Sequence, residues 1–473
     1  MKKLFLPLIG ALMLLYSCKD KPTDFSKSFA LPTDDPQELQ LARERAAQAI
    51  KPGNVVVGDS VLPDGTRIVN VKVTIPPAGT PPVDTVVTTP PVTDKIQGVG
   101  VNTLPWVPLE KLKMFSTVRC YIASGWIWRP GGLFVQPMYQ AETAETSGFD
   151  QYFERAKKLG IEVLPCINLT PEWYRPEGDG TGSNHFPPIK KGLNRTDPKS
   201  YSDYAQFWYQ FCARYGSTKH PDSDLRVDIT PKYPNQPTNK KLSGLGLIKA
   251  VEIGNEFDEW WSKGTEKYVN PQEHVALLIA VIDAIRKADP NMKIVMAGLT
   301  GLDLTYLKAM DAAFKAAGKD WPDVVNCHFY THEGNRYAVW PPTWWNSGAT
   351  YPELDKGLPY LNEVLAFCKS INRPLWITEY GADTKPQSWM HVLGSKWGIG
   401  DEQAQGELLV KTMQYYKKAG VERSYMFFAA DEPGSNGGLW QTCGILRNKE
   451  FGWVEKPSFF TVKQYLESLK VYQ

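Results

Sequence analysis

Apolar residues follow two different spacings along most of the chain, from residue 96 to the C-terminal end. Short apolar runs predict eight β-strands, at Gly98–Asn102, Thr117–Ile122, Glu162–Asn168, Ala250–Asn255, Lys293–Ala297, Val324–Phe329, Pro374–Glu379 and Arg423–Ala430. Between them, apolar residues recur at helical spacing in Ser147–Leu159, Ser200–Tyr215, Pro271–Ala288, Leu304–Ala317, Tyr360–Ser370, Glu402–Ala419 and Phe459–Leu469. Strands that alternate with helices are typical of a parallel sheet. Eight such strands predict an α/β fold whose sheet closes into a (β/α)8 TIM barrel over residues 96–473.

An open, doubly wound sheet is the alternative arrangement for these elements. That fold commonly binds phosphate groups through a Gly-rich turn after a strand, and no such turn follows any predicted strand. The chain is also long for a bare barrel, and the excess falls in segments after strands, at 169–199, 216–243 and 331–358. In a barrel those segments build the active face, so the pattern favours a barrel that carries a site.

The first 17 residues have the pattern of an export signal. Two lysines, Lys2 and Lys3, precede an apolar run from Leu4 to Tyr16, which is too short for a span of about 20 residues. The end of the run, Leu15–Cys18, resembles the bacterial lipoprotein box, which implies that Cys18 is lipidated and becomes the first mature residue. A plain signal peptide with a chance cysteine is the alternative. We therefore expect an exported protein that is lipid-anchored to the bacterial membrane, at the outer membrane, on its periplasmic or cell-surface side.

Residues 18–95 predict a tether with a small structured piece. Asp35–Ile50 has the pattern of a short polar helix, and Val55–Val73 alternates weakly around a Pro-Asp-Gly turn. Ile75–Thr93 is rich in Pro, Thr and Val and predicts an extended spacer. A β-rich N-terminal subdomain is the alternative for this part of the chain.

Composition narrows the possible partners. The 473 residues are 42% hydrophobic and 22% charged, which is typical of a globular protein, and the net charge of +2 does not favour nucleic acid as a partner.

Six cysteines follow Cys18, and most lie in apolar runs, so buried free thiols are favoured over disulfides. The chain has neither a C-x-x-C nor an H-E-x-x-H motif, and we expect no metal and no cofactor.

Two predicted strands end in a carboxylate. Glu256 follows the fourth strand, and Glu379 ends the seventh. Both would lie at the C-terminal mouth of a barrel, where a pair of acids about 5–5.5 Å apart can cleave a glycosidic bond with retention. Glu252 lies an even number of residues before Glu256, so we expect it to point inward and to form a buried ion pair with a neighbouring strand.

These strand ends resemble the clan A glycoside hydrolases, which are retaining enzymes on (β/α)8 barrels. The motifs are Gly254-Asn255-Glu256 after the fourth strand and Thr378-Glu379-Tyr380-Gly381 after the seventh. The resemblance implies that Glu256 is the acid/base and Glu379 the nucleophile, and that Asn255 holds the sugar 2-hydroxyl. It further implies that Tyr330, in His328-Phe329-Tyr330, hydrogen bonds to the nucleophile, and that Arg119 on the second strand keeps the nucleophile ionised. The match covers residues 96–473.

The chain departs from the cellulase-like family 5 at two strand ends. That family usually has a histidine after the third strand, where this chain has Asn168, and a tryptophan after the eighth, where this chain has none. Trp440, in the loop that follows, is the candidate to replace that tryptophan. Family 39 or a smaller relative stays open.

Tryptophans are unusually frequent, 16 in all, and many fall just after strands. Aromatic faces stack on sugar rings, so we expect Trp126, Trp173, Trp260 and Trp440 to be substrate-binding residues, while about half of the loop tryptophans would only pack. The sequence thus predicts a retaining glycoside hydrolase that cleaves β-glycosidic bonds of an oligo- or polysaccharide. A surface glycan-binding lipoprotein on an inactive barrel and a structural lipoprotein are the alternatives.

Overall fold

The three-dimensional structure is a computed structural model. It describes the backbone of three strands between residues 25 and 73, and then residues 98–129, 133–134, 148–175, 186–228, 240–330, 353–385, 400–432 and 441–469. Cys18, the helix predicted at Asp35–Ile50, the spacer Ile75–Thr93 and Trp440 lie outside the described residues. The chain divides into two compact units, Met1–Thr89 and Pro90–Gln473.

The first unit contains a three-stranded antiparallel sheet. Its strands are β1 (Phe25–Leu31), β2 (Val55–Val61) and β3 (Arg67–Val73), and β3 lies in the middle. β2 and β3 fall within the weakly alternating segment of the sequence, on either side of its Pro-Asp-Gly turn. Short alternating runs around such a turn favour antiparallel pairing.

The second unit contains a parallel eight-stranded sheet. Its strands are β4 (Val99–Thr103), β5 (Thr117–Ala123), β8 (Glu162–Asn168), β9 (Ala250–Asn255), β10 (Lys293–Gly298), β11 (Val325–His328), β12 (Leu375–Gly381) and β13 (Arg423–Phe427). They pair in chain order around the sheet, and β13 pairs with β4. Parallel bridges from Val295 to Val324 and from Leu299 to Cys327 join the two end strands, so the sheet closes into a barrel.

Helices cover the outside of this barrel after all but one strand. They are α2 (Phe149–Lys158), α3 (Ser202–Tyr215), α4 (Pro271–Ala288), α5 (Leu304–Ala316), α6 (Glu353–Ser370), α7 (Asp401–Ala419) and α8 (Pro457–Ser468). The eight predicted strands and seven predicted helices are confirmed, with bounds that differ by at most three residues except at α6, which begins seven residues before the predicted Tyr360. Helix α4 begins where predicted because Asn270 and Glu273 form a capping box and Pro271 occupies the first turn.

Several short elements were not predicted from the pattern. The connection after β4 is a single 3-10 turn, Leu109–Leu112, instead of an α-helix. After β5 come a one-turn helix, α1 (Ser124–Ile127), and a short hairpin of β6 (Trp128–Arg129) and β7 (Leu133–Phe134). Elements of two to four residues are too short to show a hydrophobic period.

The barrel interior is packed. One buried cluster takes side chains from or beside six consecutive strands: Leu164, Ala250, Val295, Val324, Trp376 and Tyr425. All six cysteines from Cys120 onward are buried and free, as predicted. No helix among the described residues is long and apolar enough to cross a membrane.

Candidate active site

Two carboxylates lie at the C-terminal mouth of the barrel. Glu379 belongs to β12 and is only 6% exposed. Glu256 directly follows β9 with a positive φ of 49°, and its backbone N–H donates to the Gly298 carbonyl at 2.9 Å. The chain therefore turns sharply at Glu256 while its backbone stays tied to the neighbouring strand β10.

Glu379 is surrounded by hydrogen-bond donors. Its Oε1 accepts from Arg119 Nη1 at 2.9 Å and from the Tyr121 hydroxyl, and its Oε2 accepts from the Tyr330 hydroxyl at 3.0 Å. Burial and the negative charge of Glu379 raise the pKa of Tyr330 well above its ordinary value, so the hydroxyl stays a donor. All three neighbours of Glu379 therefore donate to its carboxylate.

His328 lies between the two carboxylates. Its Nδ1 is 2.8 Å from Glu256 Oε1, and its Nε2 is 3.3 Å from Glu379 Oε1. Burial lowers the pKa of His328, but the charges of Glu379 and Glu256 outweigh burial and leave that pKa raised. The imidazole therefore lies in the field of both carboxylates.

Arg119 is held by a second, fully buried carboxylate. Its Nε and Nη2 donate to the two oxygens of Glu252 at 2.6 and 2.7 Å, and both side chains are inaccessible to solvent. Glu252 also accepts from Asn326 Nδ2 at 2.9 Å. The predicted buried ion pair of Glu252 thus exists, but its partner lies on β5, two strands away and not on an adjacent strand.

Arg119 also orients the two asparagines of the site. Its Nη2 donates to Asn255 Oδ1 at 2.6 Å and its Nη1 to Asn102 Oδ1 at 2.8 Å. Because the oxygen of Asn255 is used by Arg119, its amide nitrogen is the group that faces other partners. Asn168, at the end of β8, lines the same small cavity as Asn255, together with Ser124 and Phe257.

The structure brings Arg119, Asn255, Glu256, His328, Tyr330 and Glu379 into one connected network. Two members of this network, Tyr121 and Asn102, were missed in the sequence. Tyr121 lies two residues after Arg119 on β5. Side chains two residues apart on a strand point to the same face, so the argument used for Glu252 would also have placed Tyr121 inside the barrel. Asn102 is the last residue of the first predicted strand, so its strand-end position is the signal that could have found it.

The candidate tryptophans occupy different environments. Trp126 is 39% exposed and lies in α1 at the barrel mouth. Trp173 is partly buried and packs edge-on against the fully buried Trp128, with ring centroids 6.2 Å apart. Trp260 belongs to a 3-10 turn after β9, and its side chain lies outside the described part of the chain.

Other acids after the strands hold loops together. Asp258 is buried and accepts from Thr300 N and Oγ1, both at 2.9 Å. Burial raises the pKa of Asp258 to about 7 against those hydrogen bonds. Asp431 accepts from the buried Lys456 at 3.1 Å. Both acids thus hold neighbouring segments together.

Among the described residues, Glu256, His328 and Glu379 are the group that could share a metal ion. Each presents one ligand atom, and these atoms lie within 4.8 Å of one another. The Nδ1 atom of His328 is within hydrogen-bond distance of Glu256, whereas its Nε2 makes only an ion-pair contact with Glu379 and has no hydrogen-bond partner among the described residues.

No family model and no curated protein matches this chain. Solved structures that resemble it include Thermotoga maritima Cel5A in complex with mannotriose, at 16% identity and a TM-score of 0.42, covering 79% of this chain and 98% of that one. A glucosidase from Croceicoccus marinus shows 12% identity and a TM-score of 0.49, covering 80% and 69%. The Ignisphaera aggregans GH53 catalytic domain shows 14% identity and a TM-score of 0.45, covering 82% and 99%. All three scores are below 0.5, so the barrel assignment stands on the strand order of this chain alone.

Proposed function

We propose that this protein is a retaining glycoside hydrolase that cleaves β-glycosidic bonds of an oligo- or polysaccharide. The observation that carries the proposal is the closeness of the two acids, since one oxygen of Glu256 and one of Glu379 lie within 4.8 Å of each other. Retaining enzymes keep their carboxyl groups about 5–5.5 Å apart, whereas inverting enzymes need about 6.5–9.5 Å to admit a water molecule.

The environments of the two acids support different roles. Glu379 is buried among the donors of Arg119, Tyr121 and Tyr330, which suits an ionised nucleophile. Glu256 is more open, with a side chain 21% exposed, and its hydrogen bond to His328 suits a group that gains and loses a proton.

The reaction would run in two steps. First, Glu256 gives its proton to the glycosidic oxygen while Glu379 attacks the anomeric carbon, so that the bond to the leaving sugar breaks and a glycosyl–enzyme ester forms. The ionised Glu256 then takes a proton from water, whose oxygen attacks the same carbon and breaks the ester to Glu379. Asn255, held by Arg119, would present its amide nitrogen to the sugar 2-hydroxyl. A transglycosylase would use the same residues with a sugar acceptor in place of water.

Turnover on aryl β-glycosides and on plant, algal and fungal β-glycans tests the proposal. We expect wild type to cleave at least one member, Glu379→Ala to be inactive, and azide to restore part of the activity of Glu256→Ala on an activated aryl glycoside. NMR of the first product would show retained configuration. Tight glycan binding by wild type without turnover on any member would instead identify a glycan-binding protein on an inactive barrel, and neither binding nor turnover would favour a structural lipoprotein.

We also propose that Cys18 carries a lipid that anchors the mature chain to the bacterial outer membrane. The proposal rests on the basic, apolar and Ser-Cys order of the first 18 residues. Wild type should fractionate with membranes and incorporate labelled palmitate, and Cys18→Ala should do neither. Equal labelling of the two proteins would contradict lipidation at this residue.

A further inference from the structure

Two tryptophans at the barrel mouth are exposed to solvent and lie outside the catalytic network. Trp106, after β4, is 42% exposed, and Trp126, after β5, is 39% exposed. Their ring centroids are 6.4 Å apart and their planes are inclined at 56°, so the two rings form a corner with two differently oriented faces. Single exposed aromatic side chains are common, but two that adjoin at the mouth form an apolar patch, which favours a binding role.

A carboxylate side chain lies beside these two tryptophan rings. Glu432, after β13, accepts a hydrogen bond from the indole N–H of Trp106. This bond orients the Trp106 ring, and a carboxylate can accept more than one hydrogen bond. An aromatic face beside a carboxylate acceptor matches the chemistry of a sugar ring, which has an apolar face and hydroxyl groups at its rim. Burial raises the pKa of Glu432 to about 7, against the hydrogen bond from Trp106.

The position of these three residues in the barrel indicates which part of the substrate they would contact. Trp106, Trp126 and Glu432 follow β4, β5 and β13, which are neighbours in the ring. β13 is four strands away from β9, and therefore lies across the mouth from the strand that carries Glu256. Because the acid/base protonates the leaving sugar, we expect the part of the chain that stays bound to Glu379 to lie on the opposite side of the mouth.

Contacts connect this side of the mouth to the nucleophile. Tyr121 hydrogen bonds to Glu379 and packs edge-on against Phe427, at the end of β13, with ring centroids 6.4 Å apart. Leu104, two residues before Trp106, packs against the same aromatic cluster as Tyr121. Tyr121 and Leu104 thus link the surroundings of Glu379 to the segment that carries Trp106.

We propose that Trp106, Trp126 and Glu432 form a glycone subsite that binds a second sugar residue, beyond the one attacked by Glu379. This proposal rests on the proposed function and adds to it a substrate class, namely chains with at least two sugar residues on the non-leaving side. Trp106 and Trp126 stack on the ring, and Glu432 accepts from its hydroxyl groups.

The test compares kcat/KM for aryl β-diglycosides with kcat/KM for the matched monoglycosides, using 4-nitrophenyl glucoside with cellobioside, mannoside with mannobioside, and xyloside with xylobioside. We expect wild type to prefer one diglycoside by at least about tenfold, and Trp106→Ala and Trp126→Ala each to reduce that preference about tenfold. Phe460→Ala is the matched control, because Phe460 is 58% exposed on the outer helix α8. It should leave the preference unchanged.

The pH dependence of the same ratio tests Glu432 separately. The ionisation of the catalytic pair affects both substrates alike and cancels in the ratio. In wild type the preference for the diglycoside should rise as pH increases through about 7, where Glu432 becomes a carboxylate, and Glu432→Gln should abolish this rise. A ratio that responds to pH equally in the two proteins would contradict the role of Glu432.

The outcomes separate this proposal from the one it rests on. Turnover by wild type with no preference for any diglycoside, or equal losses on both substrate lengths in the tryptophan variants, would overturn the subsite and leave the hydrolase standing. Absence of wild-type turnover on every pair and on the glycan panel would overturn the hydrolase, and the subsite with it.

Discussion

Arg119 and Glu252 form a bidentate ion pair that is inaccessible to solvent, and the third nitrogen of the same guanidinium donates to Glu379. One arginine thus joins a buried acid that does not meet substrate to the acid proposed to attack it. A planar guanidinium can do this because its five N–H groups form a rigid fork, which a lysine lacks. We therefore expect Glu252 to act as a positioning residue for Glu379.

Glu252→Gln should weaken both stability and catalysis. The free energy of unfolding in urea should fall by about 3–5 kcal/mol, the usual cost of breaking a buried ion pair. Activity, kcat/KM, should fall by up to about 100-fold as Arg119 moves relative to Glu379. The acidic limb of the pH–rate profile should move to lower pH, because the nucleophile then faces an arginine that is no longer neutralised.

The control for that variant is Glu162→Gln. Glu162 pairs with Arg423 at 2.6 Å, but their side chains are 26% and 18% exposed, so the loss should be below about 1 kcal/mol. An unchanged acidic limb in Glu252→Gln would contradict a positioning role and leave Glu252 with a structural one.

Tyr330→Phe should slow the attack on substrate. It removes one hydrogen bond to the Glu379 carboxylate, and such bonds contribute about 1.5–3 kcal/mol. We expect kcat/KM for an aryl glycoside to fall about 10- to 100-fold. Tyr306→Phe is matched, because Tyr306 is also buried and donates to the Val269 carbonyl at 2.7 Å, away from the site. It should lower the unfolding free energy by about 1 kcal/mol without changing kcat/KM, and equal kinetic effects of the two variants would disprove the prediction.

Gly298→Ala should displace His328. A Cβ at position 298 would stand 2.3 Å from His328 Nε2 and 3.1 Å from Thr378 Oγ1, so the imidazole would have to move away from the two acids. Activity should be nearly lost while the circular dichroism spectrum is kept. Gly125→Ala, at a glycine of α1 with no atom near its added Cβ, should retain activity. Full activity of Gly298→Ala would show that His328 does not need its observed position.

Asp258 should make stability depend on pH. Its pKa is raised by burial from an ordinary 3.8 to about 7, so between these values the folded protein holds a proton that the unfolded chain has released. The free energy of unfolding should therefore fall as pH rises through this window, by at most about 1.4 kcal/mol per pH unit.

Urea unfolding at several pH values from 4 to 8 checks this, with Asp258→Asn beside wild type. The variant should gain stability relative to wild type as pH rises, because it has no such proton to lose. Asp283→Asn, whose carboxylate lies on the surface at 62% exposure, should follow wild type at every pH. Parallel curves for wild type and Asp258→Asn would rule out the prediction.

The sequence by itself determined the barrel and the two acids of its mouth. Strand and helix periods are local properties, and Pro271–Ala288, with its capping residues and the Asp289–Pro290 stop, was predicted to the residue. The places of Glu256 and Glu379 followed from the same patterns, because the C-terminal ends of parallel strands meet at one mouth.

Only the tertiary structure decided which side chains meet there. Arg119 reaches Glu252 across β8 and Glu379 from the other side of the barrel, and neither pairing follows from sequence separation. Likewise, Trp106 and Glu432 come together because β4 pairs with β13 when the sheet closes, 326 residues apart in the chain. The spacing of apolar residues indicates which face of a helix or strand a residue occupies. Contacts between distant strands depend instead on how the sheet closes and how its side chains pack, and a short stretch of sequence does not contain that information.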